Sequence, residues 1–154
     1  MPQSTFVYVV YIRTTPDELW KTLVDSERHP IWWFGARVES AWKTGAPWKM
    51  TFSDGRMADS GEVLAFEPPR RLQLRWRNEW SPELKEEGYS VCTMELEPIE
   101  RAVKLTVTHE IDRKESRFIG AVSQGWPRIL SNLKSLLETG APVDTTKIAG
   151  PKAV

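Results

Sequence analysis

Hydrophobic and polar positions change period twice along this chain. Phe6 to Arg13 is rich in Val, Tyr and Ile and reads as a strand. Thr14-Thr15-Pro16-Asp17-Glu18 then opens a helix. Thr15 can cap it, Pro16 fits its first position, and Asp17 and Glu18 suit the positive end of its dipole. Leu19, Trp20 and Leu23 follow as an apolar stripe, and Ser26 can cap a second short helix reaching Trp32-Trp33. From Ala36 to Ile111 the period is two. Trp48, Met50 and Phe52 alternate with Lys49 and Thr51, and Leu72, Leu74 and Trp76 with Gln73, Arg75 and Arg77. Cys92, Met94 and Leu96 alternate with Thr93 and Glu95, and Val103, Leu105, Val107 and His109 with Lys104, Thr106 and Thr108. Gly61 to Phe66 is a further strand, ended by Pro68-Pro69. Ser53-Asp54-Gly55-Arg56 carries a hairpin-turn signal, and Ser81 to Gly88 reads as a charged loop. One apolar and one polar face throughout predict an antiparallel sheet with one solvated side.

Helical period returns over Glu115 to Glu138. Ile119, Val122, Trp126, Ile129 or Leu130, Leu133, and Leu136 or Leu137 keep three-and-four spacing. Pro127 removes one backbone donor and predicts a kink near Gln124, and Gly140 stops the helix. Residues 141–154, with Pro142, Gly150 and Pro151, read as a loose tail after a domain over residues 1–140. The predicted fold is α+β. A curved antiparallel sheet of about seven strands wraps around a long C-terminal helix, with two short helices after the first strand. One helix cannot touch all of a curved sheet, so a cavity is expected between them.

The tryptophans sharpen that expectation. There are eight in 154 residues: Trp20, Trp32 and Trp33 after the first strand, Trp42, Trp48, Trp76 and Trp80 on or beside later strands, and Trp126 on the last helix. Indoles are large, and their N–H groups need partners when buried. So many suggest either a wide interior lined by rings or a large core that they simply fill.

Composition narrows the rest. The length suits one domain. The single cysteine, Cys92, excludes an intrachain disulfide and a cysteine zinc site, and two histidines without matched acidic spacing make no recognisable metal site. Lys plus Arg equals Asp plus Glu at 21 each, which argues against nucleic acid as the main partner. No apolar run reaches membrane-spanning length, so no membrane insertion is expected. Met1-Pro2-Gln3-Ser4 shows no signal-peptide pattern, so cytoplasmic residence is expected. Gly35, Gly45 and Gly55 mark turns and not a nucleotide fingerprint, and no cofactor is expected.

Several segments resemble a known superfamily. Ile12-Arg13-Thr14-Thr15-Pro16-Asp17-Glu18-Leu19-Trp20 is similar to the opening motif of SRPBCC proteins. Trp32-Trp33, Gly61-Glu62-Val63, Pro68-Pro69-Arg70-Arg71-Leu72 and Thr106-Val107-Thr108-His109-Glu110 follow in the family's order. Gly125-Trp126 with Leu130, Leu133 and Leu137 completes the set. The branch it is most similar to is the bacterial group resembling the C-terminal domain of the activator of the heat-shock-protein-90 ATPase. The resemblance spans residues 6 to 140 and implies the START-like helix-grip fold. It does not fix function, since the superfamily includes carriers, cyclases, dehydratases and co-chaperones.

Alternation sends Cys92 and His109 to the apolar face of adjacent strands, which makes a thiol–imidazole pair conceivable. A small hydrophobic role suits Cys92 better. His109 is read in two ways: a group that orients a ligand's polar atom, or a core histidine satisfied by backbone or by Trp126. Glu62 and Glu110 read as solvated. Arg37 could reach a cavity mouth, and Tyr8 shares a face with Phe6, Val10 and Ile12. The expected ligand-binding residues are Tyr8, Trp33, Trp48, Met50, Leu74, Trp76, Met94, Leu105, Val107, His109 and Trp126, with no catalytic residue among them. The expected function is binding of a small hydrophobic or amphipathic molecule, lipid-like or polyketide-like, by a monomer or dimer. The alternatives are a co-chaperone acting on a chaperone or other protein, and a cyclase-like or dehydratase-like enzyme.

Overall fold

A computed structural model describes residues 2–148. Strand β1 (Ser4–Ile12) leads into α1 (Pro16–Val24) and α2 (His29–Trp32). Strands β2 (Arg37–Ser40), β3 (Pro47–Thr51), β4 (Met57–Glu67) and β5 (Arg71–Asn78) follow, then α3 (Pro82–Glu86), β6 (Ser90–Ile99), β7 (Ala102–Ile111) and α4 (Arg117–Thr139). The seven strands form one sheet in the order β1-β7-β6-β5-β4-β3-β2, every neighbouring pair antiparallel. This is the helix-grip arrangement, α+β, with the apolar phase of the strands turned toward the long helix.

The local signals explain most boundaries. The Thr15 hydroxyl accepts from Glu18 N at the start of α1, where Pro16 needs no partner. Gly55 adopts φ 90° in the β3–β4 turn, and Phe52 and Arg56 pair across it. Gly140, at φ 91°, returns its N–H to the Leu136 carbonyl and ends α4. Register shifts at Met50/Thr51 and Val63/Ala65 mark β-bulges, which bend strands.

Three expectations need correction. Ser26 does not cap α2. The Asp25 carbonyl takes Arg28 N and His29 N, and its carboxylate takes Glu27 N, so an Asp-centred turn leads into the helix. Strand β4 begins at Met57, four residues before the pattern predicts, because Asp59 and Ser60 break the apolar phase without breaking the pairing. The charged stretch 81–88 contains α3, with Pro82 in its first turn. Helix α4 is a single element with Pro127 inside it, close to the span the periodicity predicts. In the tail, Asp144 N donates to Asn132 Oδ1, Asn132 Nδ2 donates to the Asp144 carbonyl, and Ile148 N donates to the Phe34 carbonyl. Residues 144–148 are therefore tied back onto α4 and onto the turn that follows α2. The last six residues of the expected tail lie outside the described residues.

Glu87 sets the start of α4. Its carboxylate takes the Ser116 hydroxyl and the N–H groups of Arg117 and Phe118, while Ser116 Oγ accepts from Ile119 N. A carboxylate on the positive end of the helix dipole anchors the long helix to the segment after α3.

Candidate functional site

The site grows from rows of side chains across the sheet. Trp48, Gly61 and Trp76 are register partners on β3, β4 and β5. The Trp48 indole lies across β4 and donates to the Arg75 carbonyl at 2.9 Å. Only glycine permits this. A Cβ on residue 61 would stand 1.7 Å from that carbonyl oxygen and 2.9 Å from Trp48 Nε1. The next row is Met50, Asp59 and Asn78. Above both rows stand α2, with Trp33 at its end, and the first half of α4, with Trp126.

Between these layers lies a cavity of about 310 Å³, partly open to solvent. Its floor is Met50, Ala58, Trp76 and Asn78, and its roof includes Trp33, Phe118, Val122 and Trp126. Trp80 and Leu84 stand on the α3 side, and Ile148 on the side of the returning tail. A second lobe of about 150 Å³ shares Trp33, Met50, Phe52, Gly125, Ile129 and Ile148 with it. The Trp33, Trp76 and Trp126 rings lie 5.2 to 6.1 Å apart by centroid. The combined space is within the size range of small-molecule sites.

Four of the expected residues line this cavity: Trp33, Met50, Trp76 and Trp126. Trp48, Leu74 and Met94 pack beneath it around a residual void of about 10 Å³, room for about one water. Trp32 borders the same void. Its Nε1 is the one fully buried side-chain polar atom without a partner among the described residues. Leu105 and Val107 are solid core, with no exposed surface. Tyr8 is half-buried, stacked 6.2 Å from Phe6 on the edge strand, and does not reach the cavity.

His109 does not reach it either. Trp126 Nε1–H donates to Nδ1 at 3.2 Å, so the ring proton sits on Nε2, which meets Ser90 Oγ at 2.9 Å. The Ser90 hydroxyl donates in turn to the Trp76 carbonyl. Both nitrogens are spent, and burial lowers the imidazole pKa to about 3. Cys92 is its register partner on β6, yet no hydrogen bond joins the two, and burial pushes the thiol pKa up. The thiol–imidazole pair is not assembled for nucleophilic work.

Sequence reading missed the cavity's polar groups. Asp59 Oδ2 takes the Trp76 indole N–H at 2.5 Å. Burial raises the Asp59 carboxyl to about 7; the Trp76 bond pulls it back only in part, and the Glu79 charge adds to the rise. Asn78 Oδ1 accepts from Trp80 N and Ser81 N and shapes the turn into α3. Glu79 behaves in the opposite way. Burial works to raise its carboxyl, but bonds from Arg77, Ser60 and Lys85 hold it down at about 2. Extending the period-two phase of Gly61 back by two residues places Asp59 inward, which is the signal that could have found it. No group of three metal-ligating side chains occurs among the described residues, and no described helix is long and apolar enough to cross a membrane.

Residues 13–138 match the family described as Activator of Hsp90 ATPase homolog 1-like protein. The chain belongs to that family. Among curated proteins, none matches it. Among solved structures, protein MLL2253 from Mesorhizobium loti is 25% identical with a TM-score of 0.75, over 88% of this chain and 97% of its own. DynU16, from the dynemicin biosynthetic locus, is also 25% identical at a TM-score of 0.75, over 92% of this chain but 49% of its own. An Hsp90 activator from Plasmodium falciparum shares the fold at 21% identity and a TM-score of 0.71, over 86% of this chain and 95% of its own. Activator of Hsp90 ATPase homolog 1-like membership fits the SRPBCC resemblance of the sequence motifs, including Trp32-Trp33 and Gly125-Trp126, both of which contribute a cavity-lining indole.

Proposed function

We propose that this protein binds a small hydrophobic or amphipathic molecule between the sheet and α4. One observation carries the reading: the apolar faces of β3–β5, α2 and α4 do not close on one another, and the gap is lined by rings with few polar atoms. A core built for packing alone would fill such a space, because protein interiors pack as densely as organic crystals. The similarity to DynU16, from a biosynthetic locus, agrees with a small-molecule role. Titration of intrinsic Trp fluorescence with a panel of lipid-like and polycyclic compounds tests it. Trp33, Trp76 and Trp126 line the gap, so a true ligand shifts their emission. A flat response across the panel removes the container reading.

The second reading, a co-chaperone, is favoured by the family's description and by one surface feature. Val7, Val9 and Tyr11 stand exposed in a row on the outer face of the edge strand β1. An Hsp90 ATPase assay with the protein added decides it. Stimulation that survives Val9→Glu would detach that activity from this face.

A further inference from the structure

The container reading leaves the ligand's chemistry open, and Asp59 narrows it. Asp59 is the one ionisable side chain lining the 310 Å³ cavity among the described residues. Its Oδ2 is held by the Trp76 indole, while Oδ1 takes no protein donor among them and stays open to the cavity. No Lys or Arg among them forms an ion pair with it. The nearby cations Arg77 and Lys85 are both engaged by Glu79, at 2.8 and 3.1 Å. Arg128 belongs to the smaller lobe, where it lies over the Phe34 ring and pairs with Asp144. The cavity thus holds a carboxyl group with one free oxygen, no internal cation, and three neighbouring indoles whose ring faces are electron-rich.

We propose that the cavity takes a ligand whose apolar body ends in a protonated amine, with Asp59 Oδ1 as its counter-charge and the indole cluster around it. This rests on the container reading. A carboxylate that is buried without a cation is costly, and an ammonium group removes that cost where a neutral head group does not. The raised carboxyl pKa, about 7, expresses the same missing partner. Bringing in an ammonium ion favours the ionised form, so binding at neutral pH expels the proton that Asp59 otherwise partly holds. The only other acid acting on Asp59, Glu79, is already neutralised by Arg77 and Lys85 and stays ionised throughout.

The test compares n-octylamine, 1-octanol, 2-octanone and octanoate, read by Trp fluorescence and calorimetry on the full chain. Octylamine should bind at least about tenfold more tightly than octanol at pH 8, the effect of one charge-assisted hydrogen bond. Its affinity should rise as the pH passes upward through 7, with proton release seen as a dependence on buffer ionisation enthalpy. Asp59→Asn, which keeps an acceptor for Trp76, should abolish the amine preference, so that octylamine binds no more tightly than octanol, and should remove the proton release. Equal binding of amine and alcohol, with no pH dependence in the wild-type protein, overturns the proposal and leaves the container intact. A preference for the ketone that grows as pH falls also overturns it, because Asp59 would then be a neutral donor. Preference for octanoate overturns it in favour of Arg128. If none of the four binds, the container reading fails and the amine proposal with it.

Discussion

His109 sits in the core with both ring nitrogens committed, to Trp126 on one side and Ser90 on the other. That arrangement needs the neutral ring. The folded pKa is lowered to about 3 from the ordinary 6.5, so protonation is favoured in the unfolded chain. The sign follows directly. This contribution to stability is fully present above pH 6.5 and is lost as pH falls toward the folded value, at up to about 1.4 kcal/mol per pH unit. His29 adds to the trend: burial lowers its pKa, and its nitrogens meet the Leu23 carbonyl and Val38 N. Asp59, whose folded pKa is raised to about 7, works in the opposite direction over the same range, so the test is a difference: in urea unfolding at pH 7, 6 and 5, His109→Phe should lower the number of protons taken up on unfolding by up to one. At pH 7 the same variant should lose about 1–3 kcal/mol, because the Trp126 N–H is left buried without an acceptor. A slope unchanged by the substitution would mean that His109 titrates normally. The strand's alternation was enough to place His109 inside. It could not show that the imidazole would be consumed by the core, since that depends on Ser90 and Trp126 arriving from two other elements.

At the scale of elements, β3, β4 and β5 act as one unit because Gly61 lets the Trp48 indole cross between them. Trp48 then meets Trp76 edge-on at 4.8 Å and bonds to the Arg75 carbonyl. Gly61→Ala should therefore behave unlike an ordinary strand substitution. Its methyl has no space against backbone, so β4 must move or the pairing must break, at a cost on the order of 3 kcal/mol or more. Thermal unfolding together with near-ultraviolet circular dichroism would register both the loss and the displaced indoles. No loss, or the gain of about 0.5–1 kcal/mol that replacing a strand glycine by alanine usually brings, would show that the crossing is not required. The sheet and long helix were legible because each carries an unbroken period: two through Val103, Leu105 and Val107, and three-and-four through Trp126, Leu130 and Leu133. The placement of α4 was not. It depends on Glu87, a residue in a charged stretch with no periodicity, reaching the Ser116 cap.

Across the whole molecule, the cavity is where the sheet, both flanking helices and the tail fail to close on one another, and this is why its lining was only partly readable. Trp33, Met50, Trp76 and Trp126 follow from their phase on single elements. Leu84 and Ile148 come from segments without any pattern, and Asp59 breaks the rule that charge faces out. Inward phase also did not separate wall from core: Leu105 and Val107 point the same way as Trp76 but lie under filled space. The tail shows how such a site is completed. Asn132, on α4 and buried, donates from Nδ2 to the Asp144 carbonyl and to the Trp32 carbonyl, and accepts from Asp144 N. Four residues on, Ile148 N bonds to the Phe34 carbonyl and its carbonyl accepts from Ser53 Oγ, which lays the isoleucine against both lobes. One amide thus joins α2, α4 and the strap over the cavity. Asn132→Ala leaves the Trp32 and Asp144 groups without their partner and should cost about 1–3 kcal/mol. Its distinguishing effect is local. Hydrogen exchange at Asp144 and Ile148 should accelerate, and any ligand of the cavity should dissociate faster, while exchange in β6 and β7 changes only by the global loss. Unchanged protection at Ile148 would show that Phe34 and Ser53 hold the strap without Asn132, and the wall would then be fixed from the sheet side alone.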